Sequence, residues 1–334
     1  MSVGVIVHLE NPSYEDVRHL AGEAEEAGAD WIGVPDAFWW RDTWSLLAEA
    51  ARVTRHLSLG PLVTNPYLRH PFVTVSALAS LQELAGPRVF AGIGAGGSEV
   101  RLAARISRRD AAERIEDLAR LVRTVAAGGP LDPVSGRALD IPLSPVRIVI
   151  GARASGVLRA AGRVADDVLL WAVPKSDLER SVRTVSEGYE SALPDDLADQ
   201  GGGARPFPRL VWAPMVNHGP SSEKLLSRAA TYAVLNNSAQ LRQQWGVDPG
   251  AVDHIRELLV AGHIDAAAAR VPTAVVDDLA ADADPQRSGA VAARIGATSV
   301  AVAATELGQV GERVLWGREV LSAAAQASAR ASAV

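Results

Sequence analysis

Short apolar runs, often β-branched, alternate along this chain with stretches in which apolar residues recur at helical spacing. The runs predict eight strands, at residues 3–8, 30–35, 57–63, 88–94, 146–151, 167–173, 210–216 and 298–304. The helical spacing predicts helices at residues 14–27, 43–55, 73–84 and 110–126. Strands that are almost continuously apolar are typical of a parallel sheet covered on both faces. Because eight strand and helix units suit a closed sheet better than an open one, we predict an α/β fold, the (β/α)8 TIM barrel.

The segment after the seventh predicted strand departs from this alternation. Residues 221–281 are too long and too helical for one connection, and their pattern predicts three helices, at residues 221–244, 248–261 and 265–281. We therefore expect one barrel domain over residues 1–334, with a helical insertion at about residues 221–281 after strand seven.

Composition and charge narrow the possible partners. The net charge is −6, and the 33 basic residues are scattered along the chain, so no basic stripe is available for a phosphate backbone. No apolar stretch is long enough to span a bilayer, and the N-terminus lacks the pattern of a secretory signal. The absence of cysteine excludes disulfides and thiolate chemistry. These features predict a cytoplasmic protein that binds neither nucleic acid nor membrane.

In a TIM barrel the chemistry lies at the carboxyl ends of the strands, so the residues just beyond each strand are the candidates. Polar side chains at such positions include His8, Asp36, Glu99 and His218. His8 has two open interpretations, a substrate contact or a strand-end histidine bonded to backbone. His70 lies between Arg69 and a proline that starts a helix, which favours a capping role.

Three tryptophans follow the second predicted strand. Trp39 and Trp40 are adjacent in the chain, so both cannot face the same core, and at least one is expected to line a pocket for a flat or apolar ligand. Trp44 has a helix-packing role as an alternative. We therefore assign Trp39 and Trp40 to substrate binding.

Two glycine-containing segments follow strands four and five. The sequence GIGAGG at residues 92–97 does not keep the spacing of a dinucleotide fingerprint, and sharp turns out of a strand account for its glycines. The sequence GARASG at residues 151–156 ends a strand and precedes a helix that begins at about Ser155. Free backbone N–H groups at such a helix start suit an anion, for example a phosphate.

Residues 62–97, LVTNPYLRHPFVTVSALASLQELAGPRVFAGIGAGG, together with GVLRAAGRVADDVLLW at residues 156–171, resemble the bacterial luciferase-like superfamily of flavin-type oxidoreductases. The likeness is strongest to the branch that includes methylenetetrahydromethanopterin reductase and other enzymes of the 8-hydroxy-5-deazaflavin coenzyme, F420. The resemblance implies a redox enzyme, often a homodimer, that uses F420 or FMN on a small organic substrate.

The resemblance also implies positions for the coenzyme. In the superfamily the third strand ends in a bulge, often with a non-prolyl cis peptide, that presses on one face of the ring. Here that bulge would be formed by Val63, Thr64 and Asn65, with Gly94, Ala95 and Gly96 leaving room beside the ring. The coenzyme phosphate would be held by backbone after strand five and at the end of strand six, at Gly156, Val157, Trp171 and Ala172.

The chain departs from the family pattern in two places. Many relatives carry an acidic residue followed by histidine after strand two, whereas this chain has Asp36 followed by Ala37. Proton transfer would then fall to Asp36, His8, Glu99 or His218, or would not be needed. The usual C-terminal segment is replaced by ADADPQR at residues 281–287.

These features leave several functions open. We favour F420-dependent hydride transfer because of the TNPYLRHP sequence; with FMN, a monooxygenase becomes the favoured reaction. A flavin-independent lyase or isomerase acting on a phosphorylated substrate, and a non-catalytic ligand-binding relative, are the alternatives.

Overall fold

The computed structural model describes residues 1–97, 105, 107, 109–192 and 205–332. All eight predicted barrel strands are present, with ends that differ by up to three residues. Numbered in chain order, the strands are β1 Ser2–Val7, β2 Trp31–Val34, β3 Ser58–Pro61, β4 Phe90–Gly94, β5 Arg147–Gly151, β6 Asp167–Trp171, β7 Arg209–Ala213, β8 Met215–Val216, β9 Ala280–Ala281 and β10 Ser299–Ala304.

Eight of these strands form one parallel sheet. Its order is β3, β2, β1, β10, β7, β6, β5, β4. Parallel bridges between Leu59 and Val89 and between Thr64 and Ile93 join the two outer strands, which closes the sheet. The prediction of a (β/α)8 TIM barrel is therefore confirmed.

Helices surround this barrel, and side-chain caps set where several of them start. They are α1 Tyr14–Glu26, α2 Thr43–Val53, α3 Pro71–Ala85, α4 Ala111–Ala126, α5 Ser155–Val164, α6 Leu178–Glu190, α12 Pro285–Arg294 and α13 Val310–Ser332. Ser13 and Asp16 form a capping box at α1, and Asp42 caps α2 by accepting from the backbone N–H of Trp44 and Ser45. The expected capping role of His70 is confirmed, since its ring accepts from the backbone N–H of Phe72 at the start of α3.

The insertion contains five helices, so the prediction of three was wrong. They are α7 Pro220–Asn236, α8 Ala239–Gln244, α9 Pro249–Val260, α10 Ile264–Ala268 and α11 Thr273–Leu279. The first predicted helix divides at Asn237, where Ser238 caps a new helix by accepting from the N–H of Leu241. The last one divides before Thr273 because Pro272 cannot continue a helix.

Apolar side chains form separate cores in the barrel and in the insertion. A small cluster fills the barrel interior, where the rings of Trp31 and Phe90 meet edge to face with centroids 6.0 Å apart. The insertion has its own core around Leu226, Trp245 and Ile255, which also includes Ala172 from the end of β6. Among the described helices, none combines the length and apolar character needed to cross a membrane.

Candidate active site

The chain leaves β3 through an irregular segment that lies at the mouth of the barrel. Strand β3 ends at Pro61, two residues earlier than predicted, and the peptide bond between Leu62 and Val63 is cis. Beyond it, the backbone N–H of Thr64 donates to the carbonyl of Gly92 at 2.9 Å, and the N–H of Gly94 donates to the carbonyl of Thr64 at 2.9 Å. These two bonds fix the segment against β4. The expected irregularity at Val63, Thr64 and Asn65 is therefore present in the structure.

Val63 packs on glycines of two neighbouring strands. A Cβ atom added to Gly94 would lie 2.6 Å from Val63 Cγ2, and one added to Gly151 would lie 3.0 Å from Val63 Cγ1. The space beside Gly94 is thus filled by Val63, and this differs from the expectation that Gly94 leaves room for a ligand. Gly96 instead adopts a positive φ of 77°, a conformation that glycine tolerates best, while Ala95 is partly exposed.

Asp36 and Thr64 meet across the ends of neighbouring strands. Val34 in β2 pairs with Pro61 in β3, so the residues that follow the two strands emerge at the same level of the barrel. The Thr64 hydroxyl donates to Asp36 Oδ2 at 2.8 Å. The Asp36 side chain is only 10% exposed, and burial raises its pKa, although the Thr64 bond and the nearby Arg69 act in the opposite direction.

Arg69 extends this network towards α2. Its Nε lies 3.8 Å from Asp36 Oδ2, and its Nη2 donates to Asp42 Oδ2. Since Asp42 also caps α2, one guanidinium connects the mouth of the barrel to the start of that helix. The sequence does not predict this role of Arg69, because a lone cation in a loop gives no sign of the carboxylates that will face it.

Asn65 is almost completely buried, with 1% of its surface exposed. Its Oδ1 accepts from the backbone N–H groups of Tyr67 and Leu68, both at 3.1 Å. Its Nδ2 has no hydrogen-bond partner among the residues that the structure describes. A buried donor of this kind normally has a partner, so this amide is an exception within the described part of the chain.

His8 lies at the end of β1 and stacks on Trp171 at the end of β6. The ring centroids are 5.0 Å apart with an interplanar angle of 14°. Burial, followed by the positive charge of Arg228, lowers the pKa of His8 to about 4, so the imidazole is neutral at physiological pH. The backbone N–H of His8 donates to the carbonyl of Ala304 at 2.8 Å, so the main chain at this position is hydrogen-bonded. The ring, stacked on Trp171, forms part of the wall of the barrel mouth.

The insertion reaches the mouth through α7. Arg228 Nη1 donates to Glu10 Oε1 at 2.6 Å, and Lys224 Nζ lies 3.6 Å from the same oxygen. Glu10 follows β1, close to His8 in the chain. Nothing in the sequence pattern connects residues 10 and 228, so this contact was not predicted.

The start of α5 presents backbone N–H groups. Ala154 is the N-cap residue and its methyl group cannot accept a hydrogen bond, while the Ser155 hydroxyl accepts from Arg180 Nη1 at 3.0 Å. Gly156 is exposed, and Val157 is buried. Ala172, which follows β6, has a positive φ of 49°, unusual for a residue other than glycine.

The remaining predicted site residues lie in different surroundings. Trp39 is 41% exposed and meets Phe38, itself 51% exposed, edge to face at 4.7 Å, while Trp40 is half-buried in the same loop. Trp44 packs on the barrel core, in keeping with its alternative role. His218 lies against Trp316 of α13 at 6.2 Å, so the described contacts do not bring it to Asp36 and Thr64. Glu99 lies outside the described residues.

Known proteins are similar to this chain in sequence and in fold. The chain is 26% identical over 254 residues to 5,10-methylenetetrahydromethanopterin reductase of Archaeoglobus fulgidus, which covers 74% of each chain. It is 31% identical over 182 residues to the enzyme of the same name from Methanolobus tindarius, covering 53% of this chain and 56% of the relative. An F420-dependent glucose-6-phosphate dehydrogenase of Amycolatopsis mediterranei is 28% identical over 216 residues, covering 58% and 64%.

Solved structures agree in fold. The coenzyme F420 dependent tetrahydromethanopterin reductase from Methanopyrus kandleri superimposes with a TM-score of 0.73 at 20% identity, covering 96% of this chain and 98% of that one. An F420-dependent secondary alcohol dehydrogenase in complex with an F420–acetone adduct gives 0.70 at 16% identity, covering 96% and 98%. The model of the family described as luciferase-like monooxygenase matches residues 1–305, and the chain therefore belongs to this family of enzymes.

Proposed function

We propose that this protein is an F420-dependent oxidoreductase that transfers hydride to or from a small organic substrate. The observation that carries the proposal is the mouth of the barrel, where Thr64, in the irregular segment after β3, donates to the buried carboxyl of Asp36. The same segment includes Asn65, whose buried Nδ2 has no partner among the described residues. The names of relatives support the choice of coenzyme, since several are reductases or dehydrogenases described as F420-dependent.

The residues at the mouth fit a planar coenzyme with an anionic tail. The segment Val63, Thr64 and Asn65 would hold the ring, since it is fixed to β4 by two backbone bonds and carries an unused donor. Across the barrel, Gly156 and Val157 at the start of α5 and Trp171 and Ala172 at the end of β6 would hold the phosphate. When bound, the coenzyme supplies the hydride chemistry, and the protein supplies position and electrostatics.

Asp36 is the group best placed to hold a proton. Its carboxyl is buried, its pKa is raised by that burial, and Thr64 fixes one of its oxygens. A carboxyl group whose pKa lies above the ordinary value is better suited to donate a proton near neutral pH. Asp36 would thereby take over the proton transfer for which many relatives have a histidine after strand two, at the position of Ala37 in this chain.

The aromatic side chains define the substrate side of the mouth. Phe38 and Trp39 are exposed on the loop after β2, and Trp171 with the neutral His8 forms the opposite wall. The described cations near this wall, Arg228 and Lys224, both face Glu10. We therefore propose an uncharged, largely apolar organic substrate.

Ligand titration tests the proposal. Purified protein is titrated with F420 and with FMN while tryptophan fluorescence is recorded, since Trp171 lies at the proposed site. We expect saturable quenching by F420 and weaker quenching by FMN. The Trp171→Phe variant is the matched control, because it should lose much of the quenching while equilibrium dialysis still detects binding.

Two results would contradict the proposal, and each would favour a different function. Tighter binding of FMN than of F420, with oxygen-dependent turnover, would favour a monooxygenase. No binding of either coenzyme would end the oxidoreductase proposal and leave a flavin-independent lyase or isomerase, or a ligand-binding protein without turnover. The homodimer that the resemblance implies stays a prediction, and sedimentation of the purified protein would test it.

A further inference from the structure

A narrow cavity lies at the carboxyl ends of β7 and β10, against the first turn of α13. Its free volume is about 10 Å³, close to what one water molecule needs. Apolar and polar side chains both line it, and they include Met215, Leu225, Val302, Ser222, His218 and Arg313. None of the described residues around the cavity is acidic, and none is among those proposed above for the coenzyme. The cavity is therefore a separate candidate site.

Arg313 brings a buried positive charge to this cavity. The residue is 3% exposed. Its Nη1 donates to the carbonyl of Ala303, and its Nη2 donates to Thr305 Oγ1 and to Gln309 Oε1, both at 2.8 Å. These acceptors are all neutral, and Nε has no partner within the described part of the chain. The guanidinium thus keeps an unused donor, and its described hydrogen bonds include no carboxylate.

Two carboxylates act on Arg313 without bonding to it. Burial lowers the pKa of Arg313, while the charges of Glu306 and Glu312 act in the opposite direction. The side chain of Glu306 accepts instead from Gln309 Nε2 at 2.6 Å, and Glu312 is exposed. Because burying a charge is costly unless a counterion lies in contact with it, the site suits an anion.

His218 lies within the field of the same charge. Burial, followed by the positive charge of Arg313, lowers the pKa of His218, with Glu312 acting in the opposite direction. The ring is therefore neutral near pH 7 and has one N–H to donate. The backbone N–H of His218 donates to Ser222 Oγ at 2.7 Å, which fixes the residue beside α7. A ligand in the cavity would meet a cation and a neutral ring.

We propose that this cavity binds a small monovalent anion, a halide such as chloride, with Arg313 Nε as a donor. A phosphate group is several times larger than a water molecule and does not fit the free volume. The apolar walls formed by Met215, Leu225 and Val302 favour chloride over the more strongly hydrated fluoride, since the ion must give up most of its water on entry. The bound anion neutralises Arg313 and joins α13 to the segment after β7.

Bromide is the direct probe, because it is similar in size to chloride and scatters X-rays anomalously. Crystals of the unsubstituted protein are soaked in sodium bromide, and an anomalous difference map is calculated. We expect a peak in the cavity, at hydrogen-bond distance from Arg313 Nε. A water molecule at this position, with no anomalous signal, would overturn the inference.

Thermal unfolding measures the same binding in solution. Sodium gluconate, whose anion is too large for the cavity, is replaced stepwise by sodium chloride at constant ionic strength. Because a ligand of the folded state raises the Tm, we expect a rise of about 2 °C at about 0.5 M chloride. The Arg313→Gln variant should lose this rise. An equal rise in Arg313→Gln would place the effect elsewhere and refute the proposed site.

Arg123 offers a matched control. It also has a buried Nε without a partner among the described residues, but its Nη2 donates to Asp166 Oδ1 at 2.7 Å and it does not line the cavity. Arg123→Gln should therefore keep the chloride-dependent rise. Loss of the rise in both variants would assign it to general destabilisation, against the inference.

A second variant keeps Arg313 in place, should Arg313→Gln not fold. Val302→Ala widens the cavity, so the larger nitrate ion should raise its Tm while leaving that of the parent protein unchanged. The same nitrate response in both proteins would mean that the cavity does not select the anion, and the proposal would fall.

Discussion

The hydroxyl of Thr64 donates a 2.8 Å hydrogen bond to Asp36, which joins the segment after β3 to the residue two positions beyond β2. Neither residue is unusual in the sequence by itself. Their contact arises because the two strands end at the same level of the barrel. It places a polar pair at the mouth of an otherwise apolar interior.

Replacing Asp36 by asparagine should change how stability depends on pH. Burial raises the pKa of Asp36 above the ordinary value of 3.8, so the folded protein binds this proton more tightly than the unfolded chain. The stabilisation from Asp36 is complete below the unfolded pKa and is lost as the pH rises through the folded pKa. The Asp36→Asn variant should therefore gain stability relative to the parent protein as the pH rises above 3.8 and through the raised pKa of the folded protein.

Urea unfolding at a series of pH values measures this difference. Asp253→Asn is a suitable control because Asp253 is 70% exposed on the insertion and pairs with Arg256 of its own helix. The difference in the free energy of unfolding between Asp253→Asn and the parent protein should vary much less with pH. A pH-independent difference for Asp36→Asn would mean that burial does not raise the pKa of Asp36.

Replacing Arg228 by glutamine should raise the pKa of His8. Burial is the larger cause of the lowered value of about 4, and the positive charge of Arg228 adds to it. Because the lowered pKa favours the neutral ring in the folded protein, stability linked to His8 is complete above pH 6.5 and is lost as the pH falls through the folded pKa. Removing Arg228 should make this loss smaller.

Proton NMR of the His8 ring measures the change. Lys224→Gln is the matched control, since Lys224 faces the same carboxylate of Glu10 but is not among the causes of the His8 shift. Equal pKa values in the two variants would exclude a specific effect of Arg228.

Replacing Gly156 by aspartate should weaken coenzyme binding without harming the fold. Gly156 is exposed, and an added Cβ would meet only the Ala112 methyl, at 3.9 Å. A negative charge in the first turn of α5 is favourable for the helix but repels an anionic tail. We expect binding of F420 to weaken by about tenfold, corresponding to about 1.4 kcal/mol.

The neutral variant Gly156→Asn, of nearly equal size, separates charge from bulk in the same fluorescence titration. It should bind F420 much better than Gly156→Asp does. Unchanged affinity in both variants would place the phosphate elsewhere.

Gly94 and Val63 should be energetically coupled. An added Cβ at Gly94 would lie 2.6 Å from Val63 Cγ2, so Gly94→Ala overfills the barrel mouth and should lower the free energy of unfolding by about 1–3 kcal/mol. Val63→Ala removes the opposing methyl groups. The double variant should therefore be more stable than the sum of the single effects by at least about 0.5 kcal/mol.

Chemical denaturation of the ligand-free protein measures this coupling. Gly22 lies in α1 with no described atom near its missing Cβ, so Gly22→Ala should raise helix stability by about 0.5–1 kcal/mol. The effects of Gly22→Ala and Val63→Ala on the free energy of unfolding should add in the double variant. Additivity in the Gly94 pair as well would show that Val63 moves away at no cost.

The alternating strands and helices of the barrel can be predicted from local sequence patterns. Residues 146–151 are apolar except for Arg147 because both faces of the strand are covered, and the position of the strand was predicted to within one residue. The helices of the insertion were harder, because one polar residue pair, Asn237 and Ser238, decides where a helix ends and another starts. The helical spacing of apolar residues continues through such a break, so the spacing alone does not reveal it.

The site was predictable where a motif marks it and not where it depends on register. The segment at Val63 to Asn65 was located from its neighbouring prolines and its family resemblance. The Asp36 to Thr64 bond depends on how β2 and β3 are aligned. The His8 to Trp171 stack joins β1 and β6, which are not adjacent in the sheet, so only closure of the barrel brings the two rings together.

The insertion has a core of its own, yet it touches the mouth through Arg228 and packs on Ala172. Substitutions in residues 220–281 can therefore reshape the entrance while the strand-forming repeats stay as they are. For directed evolution towards new substrates, this segment is the natural region to randomise, because its helices lie outside the eight-stranded sheet, provided that the residues packed on Ala172 are kept.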